Sequence, residues 1–124
     1  MRVMAAAAPL KLLVVDDHAA MRAAVRLMFE ETDTLITEAG SGEEALRCIG
    51  AECPDWVVMD LRMPGMGGFR AAEAIRQLAP RVRVILMSQF HDPEFIEQAR
   101  TAGAVEFLNK DNLLRLHKII RPTA

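Results

Sequence analysis

Apolar residues gather in short runs along the chain, and each run is followed by an amphipathic stretch of helical period. Leu12-Leu13-Val14-Val15 forms most of a first strand, Lys11–Val15. Thr34–Glu38 is more polar, as suits an edge strand, where charge discourages pairing with another chain. Asp55–Asp60 is apolar from Trp56 to its terminal acid, the make-up of a central strand buried on both faces. Val82–Met87 and Val105–Leu108 supply a fourth and a fifth strand.

Between the strands the period changes. Met21, Val25, Met28 and Phe29 form a stripe at i, i+4, i+7 and i+8, predicting a helix over His18–Glu31 with Arg22, Arg26 and Glu30 facing out. Ser41-Gly42-Glu43-Glu44 has capping-box spacing and opens a second helix that ends near Gly50. The loop Leu61–Gly68 holds one proline and three glycines, and helix three, Phe69–Ala79, stops at Pro80. Asp92-Pro93 reads as an N-cap and first helical residue of a fourth helix ending at Gly103. Asp111 is placed to cap a fifth, running to Ile120. Regular alternation of this kind argues an α/β fold, a doubly wound five-stranded parallel sheet with five flanking helices.

Composition narrows the class without naming a function. The 124 residues fit one domain over residues 10–121, with a loose leader over 1–9 and a short tail over 122–124. A net charge of −2 offers no clustered basic face, so direct nucleic-acid binding is not expected. Apolar stretches fall short of the roughly 20 residues of a membrane span, and the start is too short for a secretory signal. Cys48 and Cys53 are too few and too widely spaced for a zinc or redox motif, so they read as reduced thiols of a cytoplasmic protein. Scattered His18, His91 and His117 read as solvent-facing or capping residues, and Met59, Met63, Met66 and Met87 as packing.

Chemistry concentrates where the strands end. In open α/β sheets ligands bind beyond the carboxyl ends of the strands, at the point where strand order reverses. With the order 2-1-3-4-5 that crevice lies between strands one and three, beside Asp16, Asp17 and Asp60. Strand four ends at Ser88, and Lys110 follows strand five. Carboxylates about 4 Å apart repel by roughly 4 kcal/mol per pair at an effective dielectric near 20. A cation must offset the cluster, and the candidates are Lys110 and a bound Mg²⁺, which takes oxygen ligands from one or two carboxylates, phosphate and water.

Five segments, in order, resemble the receiver domain of bacterial two-component response regulators, the CheY-like family. They are Leu12-Leu13-Val14-Val15-Asp16-Asp17, Met59-Asp60-Leu61-Arg62-Met63-Pro64-Gly65-Met66-Gly67-Gly68, Ser88, Ala102-Gly103-Ala104 and Phe107-Leu108-Asn109-Lys110. The resemblance implies that Asp60 is a phospho-acceptor taking its phosphoryl group from a histidine kinase or phosphotransfer protein. It implies that Asp16, Asp17, Asp60 and the backbone carbonyl of Arg62 hold Mg²⁺, directly or through water. Lys110 would pair with Asp60 and then with a phosphoryl oxygen, while Ser88 and Phe107 would act as the switch pair. Turnover of an external substrate is not implied; the chemistry is confined to self-phosphorylation and self-dephosphorylation.

Three positions depart from the family pattern. Gln89 stands where a small residue is usual, and its side chain would either obstruct the phosphodonor or hydrolytic water, or hydrogen-bond a phosphoryl oxygen. Phe107 lacks the hydroxyl of the tyrosine found there in many members. Lys110 precedes Asp111 in place of proline, which resembles receivers of helix-turn-helix (LuxR/FixJ-type) transcription regulators, as do Asp16-Asp17-His18 and the Asp60–Gly68 loop. The expected function is a phosphorylation-dependent switch of a partner-binding or dimerisation surface. Alternatives are a phosphorylation-independent interaction module, a receiver cut from a DNA-binding regulator, and a Mg²⁺-dependent phosphotransfer enzyme.

Overall fold

The computed structural model describes residues 8–90 and 92–122. Most of the expected leader, the end of the tail and His91 lie outside the described residues. In chain order the elements are β1 (Leu10–Val15), α1 (Ala19–Met28), β2 (Thr34–Ala39), α2 (Gly42–Ala51), β3 (Trp56–Asp60), α3 (Gly68–Leu78), β4 (Arg83–Ser88), α4 (Pro93–Thr101), β5 (Glu106–Asn109) and α5 (Arg115–Ile120). The strands form one parallel sheet in the order β2-β1-β3-β4-β5, as expected.

Burial follows the hydrophobic pattern. Every residue of β3 is buried, as are the last four of β1, whereas β2 alternates between exposed and half-buried positions until Ala39. Successive side chains of a strand point to opposite faces, so the sheet feeds two cores. Leu12, Val14, Val58, Ile85, Met87 and Leu108 meet Val25 of α1, Phe29 just past its end, and Leu116 and Ile120 of α5. On the other face Leu13, Val15, Val57, Met59 and Leu86 meet Ala45 and Ile49 of α2, Ala72 and Ile75 of α3, and Ala99 of α4. Burying each large side chain stabilises by about 1.5–3 kcal/mol, and this two-sided packing holds the strand ends in fixed register.

Several local expectations are corrected. Helix α1 stops at Met28 rather than Glu31. The Thr32 hydroxyl donates to the Phe29 carbonyl at 2.6 Å and its N–H to the same oxygen at 3.0 Å, taking the acceptor a continued helix needs. Asp111 does not cap the fifth helix. Instead the Asn109 side chain accepts from the Asp111 N–H at 2.8 Å and opens a 3-10 turn over Lys110–Asn112, which precedes α5. His117 is not a solvent-facing cap: its ring stacks on Phe29 with centroids 5.2 Å apart, joining α5 to α1.

Other caps form as the residue types dictate. Ser41 Oγ accepts from the Glu44 N–H at 3.1 Å, while the Glu44 carboxylate reaches past the cap to the Gly40 N–H at 2.9 Å. Asp92 Oδ1 accepts from the Glu94 N–H at 3.1 Å, with Pro93 in the first turn. Before α3, Gly67 has φ of 76°, in the left-handed region that glycine enters without a Cβ clash. At Gly68 a Cβ would lie 2.7 Å from both the Asp60 carbonyl oxygen and Leu61 Cα, so α3 starts directly against the end of β3.

Candidate functional site

Strand register assembles the site. Val15 is level with Met59, which brings Asp16 level with Asp60 at the sheet's carboxyl edge. Asp60 is level with Met87, and Ser88 with Asn109, so Lys110 leaves the same edge one position further on. From there Lys110 Nζ lies 3.1 Å from Asp16 Oδ2 and 3.3 Å from Asp60 Oδ1. The three side chains are 8%, 0% and 7% exposed, so these pairs are screened little by solvent. The expected Lys110–Asp60 pair is present, and Asp16 shares the ammonium.

One ammonium does not offset three carboxylates. Burial pushes the Asp60 carboxyl above its usual range; Lys110 opposes the rise and the Asp16 charge adds to it. One donor atom each from Asp16, Asp17, His18 and Asp60 lie within 4.8 Å of one another. The donor set of clustered carboxylate oxygens, short of two compensating charges, fits a hard divalent cation. His18 is solvent-facing at the N-terminal boundary of α1, as expected, and it also reaches the acid pair. Its backbone N–H donates to Asp16 Oδ1 at 2.9 Å, and its Nδ1 lies 3.2 Å from Asp16 Oδ1 and 3.2 Å from Asp17 Oδ1. The signal for this was adjacency to the acid pair, which spacing rules for metal ligands do not score.

Arg22 also escaped the sequence reading as a site residue. Its Nη1 donates to the Asp16 carbonyl at 2.6 Å while its Nε donates to Glu38 Oε1 at 2.9 Å. Arg26 holds the other Glu38 oxygen at 2.9 Å. The start of α1 and the edge strand β2 thus brace the backbone that carries Asp16. These two guanidiniums hold the Glu38 carboxyl below its usual range, Arg22 contributing most.

A cleft of about 90 Å³ is lined by His18, Asp60, Arg62, Ser88, Gln89, Phe90 and Lys110. A larger hollow of about 400 Å³ lies between α1 and β2, but its ionisable lining is Arg26 and Glu30, and Arg26 is engaged by Glu38. The smaller space is the one that brings Asp60, Ser88 and Lys110 together. Ser88 is buried, and its Oγ accepts from the Phe90 N–H at 3.0 Å. A hydroxyl used in this way keeps its own proton for an acceptor. Gln89 is exposed at the cleft, and the Arg62 guanidinium stands over the Phe90 ring at 4.9 Å, tying the β3–α3 loop to the β4–α4 loop. Phe107 is half-buried and packs on the core beneath α2, α3 and α4 rather than in the cleft.

A family model described as the response regulator receiver domain matches residues 12–121. Among curated proteins, the transcriptional activator protein ExaE of Pseudomonas putida is 38% identical over 80% of this chain and 47% of its own length. The chain spans about half the length of the curated relatives it matches. Among solved structures, the signal receiver domain of the putative response regulator NarL from Mycobacterium tuberculosis has a TM-score of 0.79 at 34% identity, covering 87% of this chain and 92% of that one. CheY in the CheX-CheY-BeF3-Mg complex from Borrelia burgdorferi has a TM-score of 0.80 at 25% identity, covering 90% and 89% of the two chains.

Proposed function

The chain belongs to the response regulator receiver domain family, and from that membership we propose that it is a phosphorylation-dependent switch with Asp60 as its acceptor. The observation that carries the reading is the buried ammonium of Lys110 shared between Asp60 and Asp16 beside a further carboxylate, Asp17. An Asp60 carboxylate oxygen attacks the phosphorus of a phosphohistidine on a histidine kinase or phosphotransfer protein. The P–O bond forms as the P–N bond breaks, and the imidazole leaves with a proton. Asp16, Asp17, Asp60 and the Arg62 carbonyl are the residues to hold Mg²⁺, which when bound supplies positive charge against the phosphoryl oxygens.

The remaining steps belong to the chain's own side chains. Lys110 turns from the carboxylate to a phosphoryl oxygen, a charge-assisted contact with a group bearing about two negative charges. Ser88 donates its hydroxyl proton to a second oxygen. Its move draws on the Phe90 amide it now accepts from, and Phe107 repacks with it, altering the surface of α4, β5 and α5. The curated relatives are transcription regulators, which supports a transcriptional output reached through a partner, a second copy or a longer chain.

The test is intact-mass measurement after incubation with Mg²⁺ and acetyl phosphate. Uptake of one phosphoryl group by the wild type and none by Asp60→Asn is expected; uptake by that variant, or by neither protein, overturns the reading. The exposed Gln89 at the cleft favours a second reading, a phosphorylation-independent interaction module. If Gln89 instead shields a labile phosphoryl group from water, Gln89→Ala shortens the phospho-Asp60 lifetime by about 2–10-fold, up to ~1.4 kcal/mol of barrier. An unchanged lifetime removes Gln89 from the mechanism. A Gln89→Ala protein that accepts phosphate where the wild type refuses it establishes the module.

A further inference from the structure

We propose that His18 is a metal-selectivity residue, giving the acidic site an imidazole donor and a preference for borderline transition cations such as Ni²⁺ over what its carboxylates alone provide. The inference rests on the reading that Asp16 and Asp17 hold a divalent cation, and it goes beyond the oxygen donor set already assigned.

The geometry starts from three atoms. His18 Nδ1 is 3.2 Å from Asp16 Oδ1 and 3.2 Å from Asp17 Oδ1, so one ring nitrogen faces two carboxylate oxygens on different residues. Ligands at about 2.1 Å from one octahedral ion stand about 3 Å apart when adjacent. The separations are therefore close to those of neighbouring ligands of a single ion. Imidazole binds a metal through one ring nitrogen in its neutral form, and Nδ1 is the nitrogen that faces the acid pair.

The backbone supports the same arrangement. The His18 N–H donates to Asp16 Oδ1 at 2.9 Å, fixing that oxygen toward the ring. The His18 side chain is 70% exposed, so it reorients with little cost in packing and its loss leaves the core intact. Imidazole suits Ni²⁺, Co²⁺ and Zn²⁺, while Mg²⁺ favours oxygen and water. Any oxygen site binds Ni²⁺ more tightly than Mg²⁺ to some degree, so the diagnostic quantity is how the gap changes when the nitrogen is removed.

The experiment is calorimetric titration of the untagged protein with Mg²⁺ and with Ni²⁺, in the wild type, His18→Ala and Asp17→Asn. His18→Ala is expected to weaken Ni²⁺ by at least the about tenfold that losing even an outer-sphere partner costs, with Mg²⁺ weakened far less. Pulsed electron paramagnetic resonance of bound Mn²⁺ is expected to show a nitrogen coupling that His18→Ala abolishes. Equal weakening of both metals would mean that His18 only orients Asp16, and it overturns the proposal, as does an unchanged Ni²⁺ affinity. Unchanged binding of both metals by Asp17→Asn removes the cation site itself, and the metal-dependent switch with it.

Discussion

Asp60 illustrates what a buried carboxylate costs the fold that carries it. Buried beside Asp16 and only partly offset by Lys110, it has a carboxyl raised above the usual range. For an acid whose folded value exceeds its unfolded one, the folded state binds the proton more readily, so stability falls as pH rises through that interval. Asp60→Asn is therefore expected to stabilise the metal-free protein at neutral pH by about 0.5–2 kcal/mol. The gain is largest above the raised value and vanishes below the unfolded one. Thermal unfolding across the acidic to neutral range reads it, and a gain that persists at low pH would rule out the electrostatic cause. Asp16, Asp60, Ser88 and Lys110 were legible because each ends or follows an apolar run. His18 and Arg22 were not, since an exposed ring and a helix arginine become site residues only through contacts that hydrophobic pattern does not encode.

At the scale of elements, the start of α3 lies directly against the end of β3 that carries Asp60. A Cβ on Gly68 meets Asp60 carbonyl oxygen and Leu61 Cα at 2.7 Å, both of them backbone and unable to swing aside. Gly68→Ala is expected to destabilise by about 1–3 kcal/mol, the usual cost of overpacking, and to slow phosphoryl uptake, because relief requires the end of β3 to shift. Denaturant unfolding and the rate of mass gain measure the two effects, and a variant with unaltered stability would show that α3 yields freely. Strands, helices and sheet order followed from the periodicity of the residues, and the caps at Ser41 and Asp92 from local chemistry. The end of α1 and the start of α5 did not, because Thr32 and Asn109 outcompete the continuing helix and the expected Asp111 cap through short-range side-chain bonds.

For the whole molecule, ligand at the strand ends couples to global stability because the cleft draws its walls from both ends of the chain. Mg²⁺ with beryllofluoride is expected to stabilise the fold by about 2.7 kcal/mol at a hundredfold excess over its Kd. A rise in melting temperature that Asp60→Asn abolishes is the check. Light scattering before and after the same treatment tests whether the switch drives pairing: a doubled mass places the output in a homodimer, and an unchanged mass directs it to a different partner. No helix among the described residues is long and apolar enough to cross a membrane.

The bond between Lys110 and Asp16 joins residues 94 positions apart. Synthesis proceeds from the amino end, so Asp16, Asp17 and Asp60 leave the ribosome well before the lysine that completes the cluster. Until β5 has docked, Asp60 lacks the ammonium that stands beside it in the folded chain. The charge pairing at the strand ends thus arrives last, as a certificate that the sheet has closed in the right order.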